Sequence, residues 1–192
     1  MIDTLNTWDH ALFLAINGHH APWADTLLGT VSIMAVWFPL YVVLLWMLYK
    51  RHGRNGLLCS LPVIALMIYC SDTGSVLLFK NTVQRLRPCH EPGLEGMVHL
   101  INAYCGGSYG FVSSHASNHF AIAAFMMRIV PQRPKGLWPM VLLGWATLIA
   151  YSRVYAGVHF PGDVLVGALY GFTIGSIFFA IFQRVVLPRL VR

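Results

Sequence analysis

The chain has 192 residues, of which 57% are hydrophobic and only 10% charged, with a formal net charge of +6. A soluble domain carries about 25% charged residues, and the mean hydropathy of +0.62 excludes a disordered chain, a fibrous repeat and an ordinary soluble enzyme. The composition is that of an integral membrane protein, in which scattered basic residues report loop orientation rather than nucleic-acid binding.

In chain order, residues 4–17 mix apolar and polar side chains over a length too short to cross a bilayer, and predict a helix lying in the interface. No basic n-region precedes this run, so no signal peptide is expected. Residues 24–49 are long enough for a first span, since about 20 apolar residues suffice, and they end at the basic turn 50–56. Leu57 to Phe79 reads as a second span, followed by a polar stretch at 80–112. A third apolar run reaches Val130, although its start, Ser113-Ser114-His115-Ala116-Ser117-Asn118-His119, is too polar to face lipid. A turn at 131–135, a fourth span at 137–152 and a fifth at 162–184 complete the pattern, with Pro161 suited to the first helical position of the fifth. The expectation is one all-α domain over 1–192, an integral membrane helical bundle of about five transmembrane helices plus an N-terminal interfacial helix.

Five crossings put the termini on opposite sides. The 50–56 turn, the 131–136 turn and the tail share one side, which carries nine of the thirteen Lys and Arg residues. Every acidic residue lies on or near the other side. Excess Lys and Arg marks the cytoplasm, so the 80–112 and 153–162 loops are expected outside it, in a bacterial inner (cytoplasmic) membrane with the site facing the periplasm.

Three polar clusters fall on that outer side: Lys80 with Arg85 and Arg87-Pro88; Ser113-Ser114-His115; and Ser152-Arg153 with His159 and Asp163. Arg binds phosphate oxygens bidentately and Lys adds a point charge. A helix starting near Ser113 presents free N–H groups to an anion. His159 and Asp163 are four apart, so in a helix they share a face; a carboxylate fixing one imidazole nitrogen leaves the other free to attack. His115 is then available as general acid. Each residue taken alone has a plainer reading: Lys80 and Arg87 as membrane anchors, His115 as a capping or core histidine, His159 and Asp163 as a structural pair. Asp72, inside the second span, reads as a partner for a polar group in the bundle, and His119 and the remaining histidines as surface or interface residues, with pocket lining the alternative for His119, one turn after His115. Cys59 and Cys70 read as buried thiols. Cys89 and Cys105 are expected to form a disulfide in an oxidising compartment, with two free thiols as the alternative.

At these residues the sequence resembles the type 2 phosphatidic acid phosphatase (PAP2) superfamily. Lys80-x6-Arg87-Pro88 and Ser152-Arg153-x5-His159-x3-Asp163 match two of its three motifs in full. The second, Pro-Ser-Gly-His, is matched at Ser113 and His115, with Val112 for Pro and Ser114 for Gly. The resemblance implies a metal-independent phosphatase with no cofactor: His159 attacks phosphorus, Asp163 orients it, and His115 protonates the leaving group. It implies that Lys80, Arg87, Ser113, Arg153 and the backbone N–H at Ser114 hold the phosphate. A phosphate site at the membrane boundary suits a lipid phosphate or pyrophosphate. Undecaprenyl pyrophosphate is slightly favoured over phosphatidylglycerol phosphate, phosphatidic acid and a lipid A phosphate. A non-catalytic lipid-phosphate binder or transporter, and a phosphatase of soluble esters, stand as alternatives. No nucleic-acid partner is expected, and the oligomeric state is open.

Overall fold

The computed structural model describes residues 2–130 and 136–190; the turn expected at 131–135 lies outside the described residues. Helix α1 (Ile2–Asn17) matches the expected interfacial segment, with Leu5, Trp8 and Leu12 exposed along it.

The expected first span over 24–49 is not one helix. It divides into α2 (Pro22–Val31), a 3-10 turn (Met34–Trp37) and the start of α3 (Phe38–Gly74). Two prolines explain the division. Pro22 and Pro39 each sit in a first helical turn, where the missing N–H is harmless, whereas a helix running through Pro39 would lose a hydrogen bond and clash.

The basic turn is also tighter than expected. α3 is helical on both sides of Gly53, the single residue with non-helical dihedrals (φ 69°, ψ −174°). Contacts to α5 (Ser114–Ile129) show that the chain reverses there. Tyr41 reaches His119 and His52 reaches the Ile129 carbonyl, while on the return arm Ser71 meets Ser117 and Ser75 meets Ser114. A π-helical turn (Ser75–Lys80) and the short α4 (Asn81–Val83) extend that arm to the loop. α6 (Leu137–Tyr155) and α7 (Pro161–Ile181) follow, and a π-helical turn leads to α8 (Leu187–Leu190).

Three helical stretches among the described residues are long and apolar enough to cross a bilayer: Met34–Val83, Leu137–Tyr155 and Pro161–Val186. The reversal at Gly53 makes two arms of the first. α5, of sixteen residues, is the central post, with Ala116, Ser117, Ala121, Ala123, Ala124 and Phe125 all fully buried. This explains why its polar start need not face lipid. Leu44, Leu48, Met67, Leu142, Ile149 and Phe182 pack around it.

α7 runs parallel to α5 in very close contact. Gly167, Gly171 and Gly175 place their Cα atoms on the backbone of α5: a Cβ at Gly167 would stand 2.7 Å from the Ser113 carbonyl oxygen, and Cβ atoms at Gly171 and Gly175 would strike the carbonyls of Ser117 and Ala121. Small residues spaced four apart are how helices approach closely in membranes, where apolar burial gives no drive to associate.

The 80–112 segment is compact. A bridge pairs Leu86 with Tyr109, three 3-10 turns shorten it, and a disulfide joins Cys89 to Cys105 with Cα atoms 6.2 Å apart.

Candidate active site

The end of the bundle away from Gly53 is built from the start of α5, the end of α6, the start of α7 and the 80–112 loop. Ser113 caps α5, its hydroxyl accepting from the Ala116 N–H at 3.4 Å. Its own N–H donates to the Asp163 carbonyl at 3.0 Å, locking α5 to the first turn of α7. Between α6 and α7 the chain turns through Gly157 at φ +78°, where a Cβ would collide with the His99 carbonyl. That left-handed turn, which glycine adopts without penalty, delivers His159 to the head of the bundle.

A cavity of about 260 Å³ opens here, bordered by Lys80, Arg87, Ser114, His115, Arg153 and His159. Residues from all three sequence clusters, more than 70 positions apart at the extremes, converge on it. Arg87 is held at its Nε by the Gly107 carbonyl (2.6 Å) and at Nη1 by the Val158 carbonyl (2.8 Å). The same Nη1 donates to His159 Nε2 at 3.0 Å. The Cys89–Cys105 bridge joins the two chain segments that set this clamp, two residues after Arg87 and two before Gly107. Lys80 donates to Ser114 Oγ at 2.8 Å. Arg153 Nε is buried without a hydrogen-bond partner among the described residues.

His159 is 2% exposed. Burial, with Arg87, Arg153 and Lys80 around it, holds its imidazole well below the ordinary histidine range, because low dielectric and like charge both disfavour the protonated ring. Its Nε2 accepts from Arg87 Nη1, so that donor holds the Nε2 lone pair. Its Nδ1 lies 3.5 Å from Asp163 Oδ2, an electrostatic approach too loose to count as a hydrogen bond. Burial also lowers the Arg87 guanidinium, partly offset by Asp163.

Most of the expected site residues are brought together, with one exception. Ser113 is fully buried and its hydroxyl serves the helix cap, while Ser114 beside it faces the cavity. His119, read as a surface or interface residue, is instead 2% exposed: it donates from Nδ1 to the His115 carbonyl at 2.7 Å, lies 3.3 Å from the Tyr41 hydroxyl and borders the cavity. One helical turn from His115 is the signal that pointed there. Asp72 accepts from Asn118 Nδ2 at 3.0 Å, the polar-partner role expected for it, and also borders the cavity. Asp9 is the residue that sequence reasoning missed as a site component, while Arg85 stood in the first polar cluster without a role. Arg85 ion-pairs with both Asp9 (2.7 Å) and Asp163 (3.0 Å).

Two groups of potential metal-ligating side chains occur among the described residues. In one, both sulfurs are committed to the Cys89–Cys105 disulfide. In the other, Asp25 accepts from His99 (3.0 Å) and Tyr155 (2.7 Å), while the His20 and His99 rings lie flat on each other at 3.8 Å. A single ion cannot lie in both of those ring planes, so this group ties α2 to the loop as it stands.

A helical membrane bundle whose head gathers two arginines, a lysine, a helix N-terminus and a buried neutral imidazole defines a membrane phosphatase. The chain belongs to the PAP2 superfamily, whose sequence profile matches residues 57–187. It is 32% identical over 185 residues to the lipid A 4′-phosphatase of Bacteroides thetaiotaomicron, covering 96% of this chain and 81% of that protein. It is 27% identical over 177 residues to the undecaprenyl-diphosphatase BcrC of Bacillus subtilis, covering 89% and 82%. The crystal structure of Aquifex aeolicus LpxE is similar at a TM-score of 0.66 and 29% identity, covering 88% of this chain and 93% of that one. The protein is therefore a lipid phosphatase of the PAP2 type, and the reading as a non-catalytic binder is set aside.

Proposed function

We propose that this protein hydrolyses a phosphate monoester on the sugar of a lipid A-type glycolipid, through a phosphohistidine at His159, on the periplasmic face of a bacterial inner membrane. The observation that carries the mechanism is the 3.0 Å contact of Arg87 Nη1 with His159 Nε2 inside a cavity shared with Lys80, Arg153 and His115. A phosphate whose oxygens take over the N–H groups of Arg87, Arg153 and Lys80 draws the Arg87 donor off Nε2 and leaves that lone pair facing phosphorus. The cations remove the repulsion between a dianion and its attacker and stabilise charge in the transition state.

His159 Nε2 then bonds to phosphorus as the phosphorus–oxygen ester bond breaks. His115, which takes up a proton as the bound phosphate offsets the charges of Arg153 and Lys80 beside it, gives that proton to the departing oxygen. In the second half, His115 takes a proton from water, whose oxygen attacks phosphorus and returns the bonding pair to His159. Ser114 presents its backbone N–H at the first turn of α5, where an anion is favoured. Asp163 acts on His159 by electrostatic approach, and Ser113 acts through the helix cap.

The glycolipid substrate draws support from the likeness to a lipid A 4′-phosphatase across nearly the whole chain. A second reading, undecaprenyl diphosphate, was slightly favoured on sequence and is supported by the likeness to an undecaprenyl-diphosphatase over 89% of the chain. Orientation rests on the basic residues: Lys50, Arg51 and Arg54 flank the Gly53 reversal, at the end remote from the cavity.

The test is phosphate release by purified protein from a lipid A 4′-phosphate, undecaprenyl diphosphate and phosphatidic acid, beside His159→Ala. The expected result is preference for the glycolipid, an acid-labile phosphoprotein in the wild type and neither activity nor phosphoprotein in the variant. Preference for the diphosphate favours the second reading, and near-normal turnover by His159→Ala refutes the nucleophile.

A further inference from the structure

The nucleophile segment is gripped from behind by α1. Three contacts from α1 converge on residues 160–162, and a fourth reaches them through Arg85. The His10 ring stacks on Phe160 with centroids 4.7 Å apart, and Phe13 meets the same ring edge-on at 5.4 Å. Asp9 Oδ1 accepts from the Gly162 N–H at 2.7 Å, and Asp9 Oδ2 ion-pairs with Arg85 Nη2 at 2.7 Å. Arg85 in turn donates from Nη1 to Asp163 Oδ1 at 3.0 Å, with its guanidinium 4.2 Å from the centre of the Phe160 ring. The other Asp163 oxygen accepts from the Phe160 N–H at 2.9 Å and approaches His159 Nδ1 at 3.5 Å.

We infer that Asp9 and Arg85 are positioning residues for the catalytic carboxylate: α1 sets the place and charge of Asp163, and through it the orientation of His159. This rests on the reading of His159 as nucleophile. A guanidinium suits the task, since its two terminal nitrogens reach two carboxylates at once, Nη1 by a hydrogen bond to Asp163 and Nη2 by charge to Asp9. Charge explains the need for two acids. Asp163 is fully buried and already compensated by Arg85. Without Asp9, Arg85 would place its whole charge on Asp163 and weaken its hold on the His159 ring. Asp9 shares the guanidinium and at the same time caps the first turn of α7, where an acidic group is favoured. Neither residue borders the cavity, so neither touches phosphate. The exposed Leu5, Trp8 and Leu12 of α1 give that helix an apolar face for the membrane interface, which holds Asp9 at the height of Arg85.

The experiment measures kcat, KM and phosphoenzyme formation with phosphatidic acid in detergent micelles for wild type, Asp9→Asn, Arg85→Lys, Arg85→Gln, the double variant Asp9→Asn/Arg85→Gln, and His159→Ala. Asn at position 9 keeps an oxygen for the Gly162 N–H and loses only the charge. The expected result is a roughly tenfold lower kcat for Asp9→Asn, with KM unchanged and phosphoenzyme forming more slowly. One tenfold step corresponds to about 1.4 kcal/mol. Arg85→Lys should fall with Asp9→Asn, because Lys keeps the charge and loses the bridge. Asp9→Asn should add little to Arg85→Gln, since residues acting through one chain of contacts are non-additive.

A merely structural role would lower thermal stability and the active fraction, leaving the pre-steady-state rate per active site unchanged. That result overturns the inference. So does a wild-type kcat in both Asp9→Asn and Arg85→Lys, or a full additive loss in the double variant. Activity in His159→Ala would instead sink the nucleophile reading, so the two failures are told apart.

Discussion

The closest contact in the bundle makes Gly171→Ala an informative perturbation. A Cβ there would lie 2.8 Å from Ser117 Cα and 2.6 Å from the Ser117 carbonyl carbon, where carbon atoms rest at about 3.5–4.0 Å. Backbone cannot swing aside as a side chain can, so α7 must part from α5 by about 1 Å to restore ordinary contact. Overpacking of this kind costs about 1–3 kcal/mol. The consequence for activity follows from what the helices carry. α7 carries Asp163 in its first turn and follows His159, while α5 begins with Ser114 and His115. A 1 Å misplacement between reacting groups costs on the order of 100-fold, so phosphate release should fall by about that factor while the protein stays helical. Thermal unfolding in detergent beside turnover on phosphatidic acid reads both effects. Gly144→Ala in α6, where an added Cβ meets nothing within 4 Å, is the control and should leave both unchanged. Wild-type turnover and melting in Gly171→Ala would refute the view that the α5–α7 approach sets the site.

Three further expectations follow. His115→Ala should lose nearly all activity on a lipid ester and recover part of the first-step rate on nitrophenyl phosphate, whose leaving group departs without a proton; equal losses in a burst measurement would argue against a general acid. Cys89→Ser should lower the melting temperature, since closing a loop of separation 16 is worth about 3 kcal/mol in the chain-entropy model. Reductant should lower wild-type melting to the same point, and an unmoved wild type would contradict a stabilising bridge. Acid should also destabilise the fold through His159. Its ring stays neutral in the folded protein and takes a proton near pH 6.5 when unfolded. Its contribution to stability is therefore complete above that pH and declines below it. Melting measured at pH 7.5 and 5.5 should show a smaller drop in His159→Asn than in wild type, and equal drops would count against the buried neutral ring.

The sequence by itself determined the class of solution and most of the chemistry. Hydropathy demanded helices because a bilayer leaves backbone groups no partner outside their own segment. The basic and histidine residues stood out because an apolar chain tolerates them only for a reason. Local rules also placed Ser113 before α5 and Pro161 at the first turn of α7, since capping and proline chemistry act within one turn. The division of the expected first span at Pro39 was readable by the same rule, although the apolar run hid it.

Tertiary structure alone decided what depends on distances between remote segments. No spacing reveals that Asp9 meets Arg85 and Gly162, because those contacts form only when α1 docks across residues 160–162. The loose 3.5 Å approach of Asp163 to His159, and the turning of Ser113 into a cap while Ser114 faces the cavity, depend on rotations of a few tens of degrees about helix axes. A sequence specifies such rotations only through the packing of the whole bundle, here through three glycines of α7 laid against the backbone of α5.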